Sequence, residues 1–404
     1  MNGPLTGIRV LDFTRVLSGP HATRMLSDLG ADVIKVEPPG GDLTRFATPK
    51  VGGLSTYFVQ QNAGKRNVSI DLTTAAGAAL ASELADRCDV VVENYRPGVM
   101  ARLGLDHTTL RSRQPRLVYA SITGYGSSGP WTARRAYAPV VGAEAGITKA
   151  QGDARRSAYT NDPFSHADVY TAVEASVAIL AALYRRERTG EGCWIDVSMA
   201  QTMLYVNEHL HDQLYDGEVD PEWIRSFAPG DYLVVATANG DLVTISGHPA
   251  ERGTFELFVA ALGVDDLASA ERFATVSARK ANFDELCDRI ATAASAFPDA
   301  VTLEERLAAH GLAAGKVRSA RDLAESSWAT GRQAIAAVPD RRGGTIRIPN
   351  PPWRFDDVAG VISGEPRYRG EDNRAVLGEV LGYDDAAIDE LEAAGVLSSR
   401  PPRR

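Results

Sequence analysis

Residues 165 to 190, SHADVYTAVEASVAILAALYRRERTG, join one ionisable group to a long, almost wholly apolar helix. Val169, Val173, Val177, Leu180 and Tyr184 recur at helical spacing, and Ala172, Ala175, Ala178, Ile179 and Ala182 leave hardly any polar face before Arg185. Such a helix is expected in the interior. Arg185, Arg186 and Arg188 suit its last turn, where cations complement the helix dipole, and Gly190 is a natural stop. Asp168 falls in the first turn, where free backbone N–H groups and the positive dipole end favour an ionised carboxylate. Two readings of it stay open. Ser165 and Asp168 can form a variant capping box that simply starts the helix. Alternatively, Asp168 is a nucleophile, charged at neutral pH and aimed at an electrophilic carbonyl whose developing oxyanion backbone N–H groups could hold.

At 404 residues the chain has room for two domains, and its 44% apolar and 24% charged residues are ordinary for a globular protein. A net charge of −9 argues against a general nucleic-acid or membrane-surface binder, so any phosphate site must be a local basic cluster. The N-terminus MNGPLTGIRVLDF lacks the basic and apolar regions of a leader, and no stretch is expected to reach the length of a membrane span. A cytoplasmic location follows as the expectation. Cys88, Cys193 and Cys287 are too few and too scattered for a disulfide framework or zinc spacing, and are expected to be buried free thiols. His209 and His211, two apart on an expected helix, point to different faces. No metal site is expected.

Strand, helix, strand is the reading of residues 8 to 37, with strands at 8–13 and 33–37 around a helix at 19–29. The loop Thr14 to Pro20 lacks the glycine fingerprint of a dinucleotide fold, so NAD is not expected there. Further alternation (strand 68–71, helix 75–87, strands 89–93 and 117–122) implies a parallel sheet covered on both faces, with ligands outside the carboxyl ends of its strands. Gly124-Tyr-Gly126-Ser-Ser-Gly129 matches the dinucleotide fingerprint by letter, but no crossover helix follows Pro130-Trp131, and a substrate-covering loop is expected instead. A strand at 193–197 and a helix at 198–215 follow the long helix. A proline-bearing linker from 216 to 229 leads to a hairpin about Asn239-Gly240 and three helices, a small α+β module. Strands near 334–338 and 345–348 and helices near 373–381 and 384–394 form a tail too small for its own core, which should return to the first domain.

Taken together, GIRVLDFTRVLSGPHATRMLSDLGADVIKVEPP (7–39), NAGKRNVSIDL (62–72), DVVVENYRPGVMARLGL (89–105), GYGSSGP (124–130) and RTGEGCWIDVSMAQTML (188–204) resemble the class III CoA-transferase family, which includes formyl-CoA transferases, carnitine CoA-transferases and 2-methylacyl-CoA racemases. The resemblance implies an α/β fold: a Rossmann-like, parallel-sheet large domain (1–225 and 320–404) completed by the C-terminal tail, a smaller inserted α+β domain (226–319), and an interlocked homodimer. It also implies that CoA moves from an acyl-CoA to a free carboxylic acid through an aspartyl anhydride and an aspartyl-CoA thioester, the position matching the nucleophile being Asp168. By similarity Val16, Leu17, Ile70, Asn94, Tyr95, Arg102 and Arg135 match positions that line the CoA. Coenzyme A and its acyl thioester enter as substrates, without metal or NAD, and neither nucleic acid nor membrane is expected as a partner.

A polyanionic ligand is consistent with the basic groups expected at the strand ends, Lys65-Arg66, Arg96, Arg102 and Arg134-Arg135, and the pairs Arg134-Arg135 and Arg155-Arg156 hint at acidic acyl groups. Three departures matter. His166-Ala167 precedes Asp168 where many members have Gly, so His166 is expected either to crowd the acyl group or to titrate beside the nucleophile. Tyr137-Ala138 stands where the racemase branch has His-Asp, which disfavours proton abstraction. The shielding glycine-rich loop of some transferases has no counterpart near Phe227-Ala228-Pro229-Gly230. A 2-methylacyl-CoA epimerase and a non-catalytic CoA-binding protein remain the alternatives.

Overall fold

In a computed structural model of the chain the described residues are 3–155, 157–220, 222, 230, 232–356, 358–360, 362 and 364–399. They fall into two compact units, one of residues 1–148, 161–207 and 326–404 and one of 149–160 and 208–325. These divisions differ from the expected ones at 225/226 and 319/320. The helix expected over 198–215 ends at Tyr205, a separate turn of helix runs Leu210–Gln213, and the unit boundary falls between them. No composition shift in the sequence marks that break.

The first unit holds a parallel sheet of six strands: β1 Arg9–Asp12, β2 Asp32–Glu37, β3 Arg66–Ser69, β4 Val90–Glu93, β5 Val118–Thr123 and β6 Trp194–Ser198. Their spatial order is β3-β2-β1-β4-β5-β6, all parallel. The pleat sends alternate residues to opposite faces. Leu11, Ile34, Val91 and Tyr119 enter one buried cluster, whereas Val10, Val33, Val90, Val92, Val118 and Ala120 enter another. Both faces are therefore dry, which is why these strands read as continuous apolar runs.

Helix α1, Ser18–Asp28, and the long helix α5, His166–Thr189, cover the second face together; among the helices between them in sequence are α2 Ala75–Ala85, α3 Val99–Arg102 and α4 Ala138–Glu144. Gly190, at φ +78°, ends α5 as expected. The buried face of α5 differs from the expected one. Ala172, Ala175, Ile179 and Ala182 are covered, but Val173, Val177 and Tyr184 are 40%, 56% and 67% exposed. Small residues win the inward position because α1 runs close alongside; Ser176 Oγ reaches the Ala22 carbonyl at 3.4 Å. By length and composition α5 could cross a bilayer, which corrects the expectation that no stretch is long enough, but its small-residue face lies in the sheet core. Arg186 is likewise not a solvated end-of-helix cation: it is buried and paired with Asp89 at 3.0 Å.

The tail seals the β3 edge. Asn67 N–H donates to Asp372 (2.8 Å), Ser69 N–H to Asn373 (2.9 Å) and Ser398 N–H to the Ser69 carbonyl (3.2 Å), while Val376, Leu377, Ile388 and Leu397 join the first-face core. An open edge is thereby covered. In the second unit a three-stranded antiparallel sheet, Val234–Ala236, Leu242–Ile245 and Ala314–Lys316, turns at Gly240 (φ +85°) and packs with helices Thr254–Leu262, Phe283–Ala294 and Ala300–Ala309 over Phe258, Leu286, Ile290 and Leu303. Cys88 is buried, but Cys193 and Cys287 are only part-covered, and none of the three is in a disulfide. Residues 221, 223–229 and 231, which include most of the expected linker and Phe227 to Pro229, lie outside the described residues, as does Arg156.

Leu11 is fully buried in the central strand, so Leu11→Ala should cost about 2–5 kcal/mol, read as a lowered denaturation midpoint. Val301→Ala, at a 59% exposed helix position, should change stability by no more than ~0.5 kcal/mol.

Candidate active site

Strand order reverses between β1 and β4, so the chain leaves their carboxyl ends in opposite directions and opens a crevice there. A cavity of about 510 Å³ occupies it, within the range of small-molecule sites. The post-β1 loop (Arg15, Val16, Leu17, Ser18), the post-β4 loop (Asn94 to Pro97), the start of α5 (Ser165, Asp168) and the segment 134–139 all contribute to its lining. Of the residues expected to bind CoA, Val16, Leu17, Asn94, Tyr95 and Arg135 come together around this cavity with Asp168.

Ile70 and Arg102 do not. Ile70 is fully buried in the first-face core and bridges to Leu397, where the tail closes over it. Arg102 is exposed at the end of α3 and is not part of the lining. Lys65 and Arg66 are also outside the lining. Lys65 Nζ is buried against Asp12 (3.0 Å), Thr23 Oγ (2.8 Å), Asn62 Oδ1 (2.9 Å) and the Pro20 carbonyl (2.9 Å), and burial lowers its pKa to about 8. Arg66 is engaged by Asp32 and Glu379.

The two strand-end loops are stitched together by one side-chain amide. Asn94 Oδ1 accepts the Arg15 N–H (2.8 Å) and Asn94 Nδ2 donates to the Arg15 carbonyl (2.9 Å). Behind Asn94, the buried Glu93 carboxylate accepts the Tyr95 N–H at 2.8 Å. Burial pushes Glu93 up to about 7, partly offset by Ser121 and by that N–H. Glu93 also borders an adjoining cavity of about 240 Å³, which shares Arg96, Pro97 and Thr123 with the first.

Asp168 is half-buried, and its carboxylate accepts from the hydroxyl and the backbone N–H of Ser18, the first residue of α1. The capping-box reading fails, because Ser165 makes no side-chain cap bond to its own helix. Asp168 instead meets the free N-terminal donors of a neighbouring helix. Burial nevertheless raises its pKa above the usual aspartate value, the two Ser18 bonds offsetting only part of the desolvation. The expected low pKa at a helix start is therefore corrected. Tyr57, absent from the sequence-based expectations, lines the same cavity, and its hydroxyl is raised by burial and by the nearby charge of Asp168.

Among the described lining residues Asp168 is the one carboxylate, facing Arg15, Arg96, Arg134 and Arg135. Arg134 is already engaged, paired with Glu144 and stacked 4.4 Å over Trp131. The Arg15 Nε is covered and finds no protein partner. Such a lining suits an anionic ligand. His166 turns elsewhere: its Nδ1 meets Asp162 at 2.5 Å and its ring stacks on Tyr170, so it does not line the cavity. The Gly124–Gly129 segment is a loop with Gly126 and Gly129 at φ +90° and +97°, followed by no helix until Ala138, and Gly124 itself reaches the lining. Arg15 and Ser18 were visible as polar residues after a strand end at the switch point. Tyr57 and Met199 carried no such signal, since they arrive from distant helices.

Comparison with known proteins gives one answer at every level. The profile described as CoA-transferase family III matches residues 5–373. A mouse succinyl-CoA:glutarate CoA-transferase is 32% identical over 98% of this chain and 90% of its own. A Streptomyces coelicolor formyl-CoA:oxalate CoA-transferase is 31% identical over 97% and 99%. Among solved structures, a CaiB/BaiF family protein from Brucella suis superposes with a TM-score of 0.79 at 31% identity, covering 94% of this chain and all of that one.

The raised pKa of Asp168 sets a sign for stability. The unfolded chain ionises this group near pH ~3.9, whereas the fold holds its proton to higher pH, so the native state loses stability as pH rises through that window and stays penalised above it. Asp168→Asn should therefore melt at or above the wild-type temperature at neutral pH, with the difference closing below pH ~3.9. A variant that melts lower at neutral pH than in acid, relative to wild type, would contradict this.

Proposed function

The chain belongs to CoA-transferase family III, and on that premise we propose that it moves CoA from an acyl-CoA thioester to a free carboxylic acid, with Asp168 as the covalent nucleophile. One observation carries this reading: the Asp168 carboxylate opens into a cation-lined cavity while held by the N-terminal donors of α1 rather than by its own helix.

The steps balance. The carboxylate attacks the thioester carbonyl, the C–S bond breaks, and CoA thiolate departs, leaving a mixed anhydride. The thiolate then attacks the aspartyl carbonyl, releasing the donor acid and leaving an aspartyl-CoA thioester. The acceptor carboxylate attacks that thioester to form a second anhydride, whose acyl carbonyl takes the thiolate back and frees Asp168. The Ser18 N–H and hydroxyl, already at the carboxylate, stand where negative charge gathers during attack on the aspartyl carbonyl. Arg96 and Arg135 at the lining suit the phosphates of CoA.

Epimerisation is the weaker reading, since no histidine is among the described lining residues and Tyr137, in the racemase histidine's place, is 65% exposed. Solvent deuterium at the α-carbon without an acceptor acid would favour it. We also propose an interlocked homodimer. The exposed Val173, Val177 and Tyr184 of α5, with Tyr205 at 79%, give an apolar surface that a second chain would cover. Sedimentation should show a dimer; a monomer at micromolar concentration would contradict it.

Asp168→Asn should reduce CoA exchange between a labelled acid and its acyl-CoA by at least about a thousandfold, an order set by the loss of covalent catalysis, while CoA still binds. The wild-type rate should fall on the acid side at a pH above the ordinary aspartate range, because the nucleophile must be ionised. Retained exchange in the variant would refute the mechanism.

A further inference from the structure

The five residues that carry the chain from β1 to Ser18 are held almost entirely by side chains from elsewhere. Thr14 N–H donates to Asp12 Oδ1 at 2.8 Å, and the Thr14 carbonyl accepts from Lys35 Nζ at 2.7 Å. Arg15 is gripped on both sides by Asn94. Val16 N–H faces both oxygens of Asp42, at 3.3 and 3.4 Å. Val16 sits at φ +68°, the left-handed region, which a β-branched residue adopts only when its surroundings enforce it. Ser18, two residues on, bonds Asp168.

Asp42 is the enforcing group. It is fully buried; Oδ1 accepts Thr44 N–H (3.0 Å) and Thr44 Oγ1 (2.9 Å), and Oδ2 faces Lys35 Nζ at 3.3 Å. Burial alone would raise its pKa, but Lys35 and the Thr44 donors keep it below the ordinary value, so the oxygen offered to Val16 stays an anion. Lys35 in turn spans the Thr14 carbonyl and Asp42, so one buried ion pair fixes the loop at both Thr14 and Val16. Glu37 adds a further hold on Asp42 through its N–H (2.9 Å).

We propose that Asp42, acting with Lys35, is a positioning residue for the reaction: it holds Val16 in the left-handed conformation and thereby sets the direction of the Ser18 donors that aim Asp168. Asp42 does not line the cavity, so its effect passes through the loop and not through contact with substrate. The inference rests on Asp168 being the nucleophile.

Asp42→Asn is the direct test, because it keeps Oδ1, which serves Thr44 and lies 3.4 Å from the Val16 nitrogen, but turns Oδ2, 3.3 Å from that nitrogen and facing Lys35, into a donor. The hold on the left-handed Val16 is weakened by the lost acceptor and the lost ion pair, and the cost of that conformation for a non-glycine residue corresponds to about a tenfold change. We expect kcat for CoA exchange to fall about tenfold with KM for acyl-CoA within about twofold. Glycine adopts φ +68° freely, so the same Asp42→Asn change made in a Val16→Gly background should lower kcat by no more than about threefold. An equal loss in both backgrounds, or an unchanged kcat in the first, overturns the proposal. If Asp42→Asn does not fold, amide exchange of the wild type decides: Val16 N–H should be strongly protected, and exchange at the rate of an open loop overturns it. Failure of the underlying reading is separate, since it shows as exchange that survives Asp168→Asn whatever Asp42 does.

Discussion

The whole arrangement depends on one amide. At the point where strand order reverses, the chain leaves β1 toward one side of the sheet and β4 toward the other, so nothing in the backbone ladder joins the two loops. Asn94 supplies the missing pairing, satisfying both the N–H and the carbonyl of Arg15 as a neighbouring strand would. That link fixes Arg15 against the post-β4 loop while Lys35 and Asp42 hold Thr14 and Val16, so the N-terminus of α1 meets the Asp168 carboxylate at the cavity wall. Remove the pairing and the crevice still exists, but its two walls are no longer registered.

Environment, not residue type, separates the aspartates. Asp12 and Asp42 are buried against lysines, and although burial opposes ionisation, Lys65 and Lys35 hold both below the ordinary value. Asp168 has two hydrogen-bond donors and no cation in contact, so desolvation prevails and its pKa rises. The first two keep their charge and fix the framework. The third carries charge that the protein only partly stabilises, which leaves a carboxylate more basic than usual and better suited to attack a carbonyl.

Much of the sheet was legible because β1 to β5 are buried on both faces and the helices α1 and α5 are followed by glycine, Gly30 and Gly190. Those signals are local, and the observed strands fall within two residues of the expected ones at 66–69, 90–93 and 118–123. The tail's return was legible from its size. Which face of α5 points inward was not: valines and alanines both read as apolar, and only the close approach of α1 selects alanine. Of the candidate site, Asp168, Val16, Leu17, Asn94, Tyr95 and Arg135 line one cavity, whereas Ile70 and Arg102 stand outside it because the tail and the end of α3 place them there. Tyr57 and the Asp42–Lys35 clamp were beyond a linear reading, since they act across the fold on a loop with no motif of its own.

The central claim, that Asp168 is joined covalently to both acids in turn, has a direct isotopic test. When an acceptor acid labelled with heavy oxygen in its carboxylate attacks the aspartyl thioester, its bridging oxygen must stay on the aspartate after CoA thiolate removes the acyl group. Mass spectrometry of the peptide that contains Asp168, after turnover with labelled acceptor and acyl-CoA, should show at least one heavy oxygen on that side chain. A peptide that remains unlabelled while labelled acyl-CoA accumulates would contradict the account.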